Sequence, residues 1–111
     1  MNKKILVVDD EPDIRDSLAE FLKRKGYTVV TAADGREAIE TCRIEPPGLV
    51  VTDIKMPEKT GLEVLHELKK MDSNILVFML SAYDHSVDSL RLRAADYISK
   101  PPDYDYLSFS I

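Results

Sequence analysis

Five side chains able to do ionic chemistry stand at the ends of short apolar runs. Asp9 and Asp10 follow Ile5–Val8, Asp53 follows Leu49–Thr52, Ser81 follows Ile75–Leu80, and Lys100 comes just after the weaker run Tyr97-Ile98. Each has an ordinary use when taken alone. Asp10 could cap a helix, Asp53 could be a turn residue before Pro57, Ser81 could cap the helix after it, and Lys100 could be a solvated charge. Those separate readings leave unexplained why all five occupy the same place relative to successive runs. Two carboxylates about 4 Å apart repel by roughly 4 kcal/mol at an effective dielectric near 20. Three in one pocket must protonate or take up a cation. An all-oxygen set without His or Cys suits a hard divalent ion, Mg2+ or Mn2+. With Lys100 as a second positive group and Ser81 as a donor, such a pocket suits a phosphoryl group.

That chemistry requires elements that bring the ends of the runs together. The runs are rich in β-branched residues, with Tyr27–Thr31 as the remaining one. Between them the apolar residues recur at helical spacing. Ile14, Leu18, Phe21 and Leu22 share one face, with Pro12 suited to the first turn and Gly26 to the stop. Ala38, Ile39 and Cys42 share another face after an Asp34-Gly35 turn. Leu62, Leu65 and Leu68 form a third, opened by a capping box at Thr60-Gly-Leu-Glu63. A fourth, short segment runs from about Asp84 to Ala94. Strands alternating with helices predict an α/β fold. Nearly continuous apolar strands predict burial on both faces, as in a doubly wound five-stranded parallel sheet of flavodoxin-like order 2-1-3-4-5. Such a sheet carries its site at the carboxyl ends of the strands, beside the switch point between strands 1 and 3.

With 111 residues, the chain is expected to form a single domain over 1–111. Its 44% apolar and 32% charged residues suit a packed core under a polar surface. A net charge of -5 argues against direct nucleic-acid binding or an acidic-membrane surface. No apolar run approaches a membrane span and no signal peptide is visible, so a cytoplasmic location is expected. The single cysteine, Cys42, fits a reducing compartment and reads as core filler. His66 and His85 lack a metal-ligand partner at suitable spacing and receive no role.

The runs Ile5-Leu6-Val7-Val8-Asp9-Asp10-Glu11-Pro12, Val51-Thr52-Asp53-Ile54-Lys55-Met56-Pro57, Leu80-Ser81-Ala82 and Asp96-Tyr97-Ile98-Ser99-Lys100-Pro101 resemble those of response regulator receiver domains. The resemblance covers essentially the whole chain. It implies a phospho-acceptor of two-component signalling with slow self-catalysed phosphotransfer and dephosphorylation, not a turnover enzyme. By it, Asp53 would accept the phosphoryl group from a sensor histidine kinase or phosphotransfer protein. Asp10 would bind Mg2+ directly, Asp9 through water or second-sphere contacts, and Asp53 and the backbone carbonyl of Lys55 would complete the ligands. Ser81 and Lys100 would hold phosphoryl oxygens, and Tyr97 would change rotamer as Ser81 moves. Lys55 and Tyr83 match positions that tune the lifetime of the phosphoryl group.

The sequence departs from the family's pattern towards its end. From Ser81 to Lys100 it is shorter by about three residues, close to one helical turn, and Arg93 stands where a glycine is usual. A shortened fourth helix is therefore expected. Leu107, Phe109 and Ile111 alternate with serines, and the segment 103–111 is expected to form only a short fifth helix. Two other classes compete with the phospho-acceptor. A degenerate receiver could serve as a constitutive interaction module, which the full set of rim residues opposes. A related hydrolase would need a dedicated general acid or base, and none is visible near the rim. A fifth helix of about two turns would leave apolar surface bare beside strand 5, so a homodimer through that side is expected. Light scattering across a concentration series should show a dimer. A monomer at high micromolar concentration would show that the short tail covers the core alone.

Overall fold

The computed structural model of the chain describes residues 3–53, 60–72, 74–81 and 96–99, with Ser81 and residues 96–99 described by backbone alone. Among the described residues eight elements follow in chain order, alternating as expected as far as β4: β1 (Lys4–Val8), α1 (Pro12–Arg24), β2 (Thr28–Ala32), α2 (Gly35–Ile44), β3 (Leu49–Asp53), α3 (Gly61–Met71), β4 (Leu76–Ser81) and β5 (Asp96–Ser99). The strands form one parallel sheet in the order β2-β1-β3-β4-β5. The switch point therefore lies between β1 and β3.

Strand alternation sorts the core into two layers. Ile5, Val7, Leu49 and Val51 join Leu18 and Leu22 of α1, with Phe78 and Leu80. Leu6, Val8 and Val50 join Ala38, Ile39 and Cys42 of α2 and Val64, Leu65 and Leu68 of α3. Both faces of β1 and β3 are thus covered. The edge strand β2 differs from the continuous burial its sequence suggests, because it pairs on one side only and buries Ala32 alone.

The caps follow local chemistry. Gly26 ends α1 with φ of 97°, a left-handed conformation that glycine adopts without steric cost. The capping box of α3 is present, with the Thr60 hydroxyl accepting from Glu63 N–H and the Glu63 carboxylate accepting from Thr60 N–H. Asp34 is the N-cap of α2, its Oδ1 2.8 Å from Glu37 N, where the sequence suggests a turn. On α3 the buried stripe is Gly61, Val64, Leu65 and Leu68, and Leu62 lies at its margin. Cys42 is fully buried, and burial pushes its thiol up to about 11.

Two strand ends run further than their apolar residues indicate. Asp53 pairs with Leu80 and Ser81 with Ser99, so the ladder continues through both polar residues. Backbone pairing is indifferent to side-chain polarity, so Asp53 and Ser81 end their strands as their place in the sequence suggests. The fourth helix expected at 84–94, the short fifth helix, and the strand-5-side homodimer that rests on it lie outside the described residues.

Candidate functional site

The parallel sheet delivers the predicted acidic residues to one edge. Asp9 follows the last residue of β1, and Asp53 is the last residue of β3, the adjacent strand. Asp9 is fully buried and Asp53 is 5% exposed, whereas Asp10 and Glu11 are exposed. Each of these four residues offers a carboxylate oxygen, and the four atoms all lie within 4.8 Å of one another.

The ordinary readings of two of these aspartates do not hold. The N-cap of α1 is Glu11, not Asp10, and it makes no side-chain capping bond. Asp53 belongs to the sheet and not to a turn. Asp9 is fastened at three points. Its N–H donates to Ala32 O at 3.2 Å, its Oδ1 accepts from Glu11 N–H at 2.9 Å, and its carbonyl accepts from Arg15 Nη1 at 3.0 Å. These bonds turn the chain from β1 into α1, where Pro12 takes the first turn, a position without an N–H partner in any helix.

Asp9 and Asp53 are the two buried members, and at 4.8 Å or less their ionised forms repel by about 3 kcal/mol or more at an effective dielectric of 20. A hard divalent cation suits these groups. The donors are all oxygens, the buried pair fixes part of the shell, and the exposed pair leaves room for water and an incoming oxyanion. Among the described residues no His or Cys joins the cluster, which disfavours softer metals.

Ser81 ends β4, the strand beside β3, and Tyr97 pairs with Met79 in β5, so their backbones reach the same edge. Lys100 is the next residue in the chain after the end of β5 and, with Lys55 and Tyr83, lies outside the described residues. Sequence reasoning passes over Glu11 and Arg15. Glu11 directly follows the acidic pair, and that adjacency is the signal that could have found it. Arg15 carries no such signal, because it acts through a backbone carbonyl six residues away.

A doubly wound parallel sheet with clustered carboxylates at its switch point is the architecture of a receiver. The chain matches the family described as "Response regulator receiver domain" over residues 5–110, and it belongs to that family. It is 44% identical over 104 residues to the alkaline phosphatase synthesis transcriptional regulatory protein PhoP of Bacillus subtilis, covering 91% of this chain and 43% of that one. It is 40% identical over 108 residues to sporulation initiation phosphotransferase F of Bacillus subtilis, covering 95% of this chain and 87% of that one. Among solved structures it is similar to the chemotaxis protein CheY4 of Vibrio cholerae, with a TM-score of 0.92 and 27% identity over 99% of this chain and 96% of that one. A CheY-like receiver from Methanospirillum hungatei also superposes with a TM-score of 0.92, at 34% identity over 98% of this chain and 90% of that one. The chain spans less than half the length of the PhoP relative. Among the described residues, no helix is long and apolar enough to cross a membrane.

If the four carboxylates form a cation site, Mg2+ should raise the thermal midpoint. A ligand at 100 times its Kd stabilises by about 2.7 kcal/mol, which is roughly 10 °C or more for a domain of this size. Sodium at matched ionic strength should give little of this, and Asp10→Asn should remove most of it. An equal gain in that variant would place the cation elsewhere.

Proposed function

We propose that this receiver domain is a Mg2+-dependent phospho-acceptor switch in which Asp53 takes a phosphoryl group from the phosphohistidine of a sensor kinase or phosphotransfer protein. The observation that carries the reading is the position of Asp53. It is nearly buried at the tip of a central strand, with carboxylate oxygens of Asp9, Asp10 and Glu11 within 4.8 Å. A carboxylate so surrounded is a poor partner for an anionic donor unless a cation intervenes, which makes the reaction metal-gated.

An Asp53 carboxylate oxygen attacks phosphorus in line with the phosphorus–nitrogen bond. As the new phosphorus–oxygen bond forms, the imidazole leaves with the bonding electron pair, and an aspartyl phosphate remains. Hydrolysis runs from the other side: water attacks phosphorus, inorganic phosphate departs, and the Asp53 carboxylate returns. Asp10 and Asp53, the backbone carbonyl of Lys55, and Asp9 through water would hold Mg2+ (or Mn2+), which supplies charge neutralisation between donor oxygens and carboxylates. Asp9 has its Oδ1 and its backbone already engaged, which suits an orienting role more than a displaceable one.

Ser81 and Lys100 are proposed to take two phosphoryl oxygens once the group is on Asp53. Their new bonds favour one member of a pre-existing pair of conformations, with Tyr97 moving as Ser81 moves. Reversing that equilibrium from 1:99 to 99:1 needs about 5.5 kcal/mol, which a few charge-assisted bonds of roughly 1.5–3 kcal/mol supply. Lys55 and Tyr83, two residues beyond Asp53 and Ser81, are proposed to set how long the phosphoryl group survives. A cytoplasmic location fits a donor that is an intracellular phosphohistidine.

Two outcomes are expected. An acyl phosphate with Mg2+ should add the mass of one phosphoryl group, mapped to Asp53, and Asp53→Asn or a chelator should abolish it. Full labelling under either condition would overturn the assignment. Lys100→Ala should still be phosphorylated yet lose most of the Tyr97 ring chemical-shift response. A complete response in that variant would show that the switch does not run through Lys100.

A further inference from the structure

We infer that Arg15 is a positioning residue for the acidic cluster, holding the Asp9 carbonyl and, through it, the Asp9–Asp10 peptide in the orientation that keeps Asp10 on the cation. The inference rests on the proposal that the cluster holds a divalent ion. After Val8 the chain has only Asp9, Asp10 and Glu11 in which to leave β1 and enter α1 at Pro12. The carbonyl of Asp9 and the nitrogen of Asp10 belong to one planar unit. Fixing that oxygen therefore sets the direction in which Asp10 leaves the strand.

Three bonds fasten Asp9, and they differ in origin. Two tie its N–H and its Oδ1 to backbone groups, those of Ala32 and Glu11. The third, from Arg15 Nη1 to the carbonyl at 3.0 Å, comes from a side chain on α1. It locks the loop to the helix that follows. Glu11 makes no capping bond, so no side-chain cap from the N-cap residue serves that purpose. A guanidinium is a charged donor and gives a stronger bond to a carbonyl than a neutral one. The Arg15 side chain is 20% exposed, and its Nε lies 3.9 Å from a carboxylate oxygen of Asp16, whose side chain is 76% exposed. That exposed pair at the limit of ion-pair distance is weak. The carbonyl contact is the shorter and more sheltered of the two.

Other roles for Arg15 predict different signs. As a mere counter-charge to four carboxylates, its removal would tighten Mg2+ binding. As a purely structural residue, its removal would lower the melting temperature and leave Mg2+ affinity unchanged in the folded protein. As a positioning residue, its removal weakens Mg2+ binding while the chain is folded.

The test is calorimetric titration of the whole chain with MgCl2, well below the unfolding midpoint, for the natural sequence, Arg15→Met and Arg15→Lys. Arg15→Met keeps the apolar stem but removes the donor, and Arg15→Lys restores a charged donor. The expected result is an affinity loss of about tenfold for Arg15→Met, the size typical when a group that orients a ligand is removed. Much of it should return in Arg15→Lys. In metal-free protein, the Glu11 amide, whose N–H donates to Asp9 Oδ1, should also exchange its hydrogen faster in Arg15→Met. Unchanged or tighter Mg2+ binding by folded Arg15→Met would overturn the inference. Should Arg15→Met not fold, Arg15→Gln, whose shorter neutral amide falls short of the carbonyl, takes its place: a loss of Mg2+ affinity in the folded variant supports the inference, and native affinity overturns it. Failure of the natural sequence to bind Mg2+ would remove the cation reading itself, and the Arg15 inference with it.

Discussion

Asp9 and Asp53 are buried carboxylates whose oxygens approach within 4.8 Å, and the repulsion between them is the constraint around which the rest is arranged. No local feature forces them together. They meet because β1 and β3 are adjacent and parallel, so their carboxyl ends fall on one edge of the sheet. The sheet holds that arrangement because its central strands are covered on both faces by two apolar layers. Stability is generated across the faces and used at the edge. Separating the carboxylates would require breaking the register of the best-buried pair of strands.

The turn from β1 into α1 shows how the same edge is kept open to solvent. Asp9 is held by backbone and Arg15 contacts, while Asp10 and Glu11 are carried outward as exposed groups. The cluster is therefore divided into a fixed buried pair and an accessible rim. The rim lets water, an ion or an oxyanion enter, and the buried pair supplies charge that solvent does not screen. Asp9 Oδ1 receives the N–H of the N-cap residue itself.

Much of this was readable in the residues. Strand ends bearing Asp9, Asp10 and Asp53 could be placed together because parallel crossovers leave no other edge for them, and the observed sheet order is the expected one. Gly26 announced its cap through the backbone freedom of glycine, and Thr60 through its hydroxyl. What could not be read are features decided by neighbours in space. β2 has the β-branched texture of an inner strand but lies at an edge. Val64 joins Leu65 and Leu68 on the core face of α3, with Leu62 at its margin, because the helix is oriented by packing against α2 and the sheet. Arg15 was invisible because a contact with a carbonyl leaves no pattern in side-chain types. The roles proposed for Lys55, Tyr83 and Tyr97 came from family resemblance, not from spacing, whereas the place of Lys100 just after the last apolar run suggested a second positive group at the rim.

The all-oxygen character of the cluster has a counterpart elsewhere in the core. Cys42 sits in the layer between α2 and the sheet, and its thiol is pushed up to about 11 by burial. Near neutral pH it is therefore a thiol and not a thiolate, so it neither binds a soft metal nor attacks an electrophile. Among the described residues, the carboxylates that are brought together lie at the strand ends, and the buried thiol lies in the helix-side layer. Burial on the helix side and exposure at the strand ends are two consequences of one sheet order, and together they direct electrostatic response to Asp9, Asp10, Glu11 and Asp53.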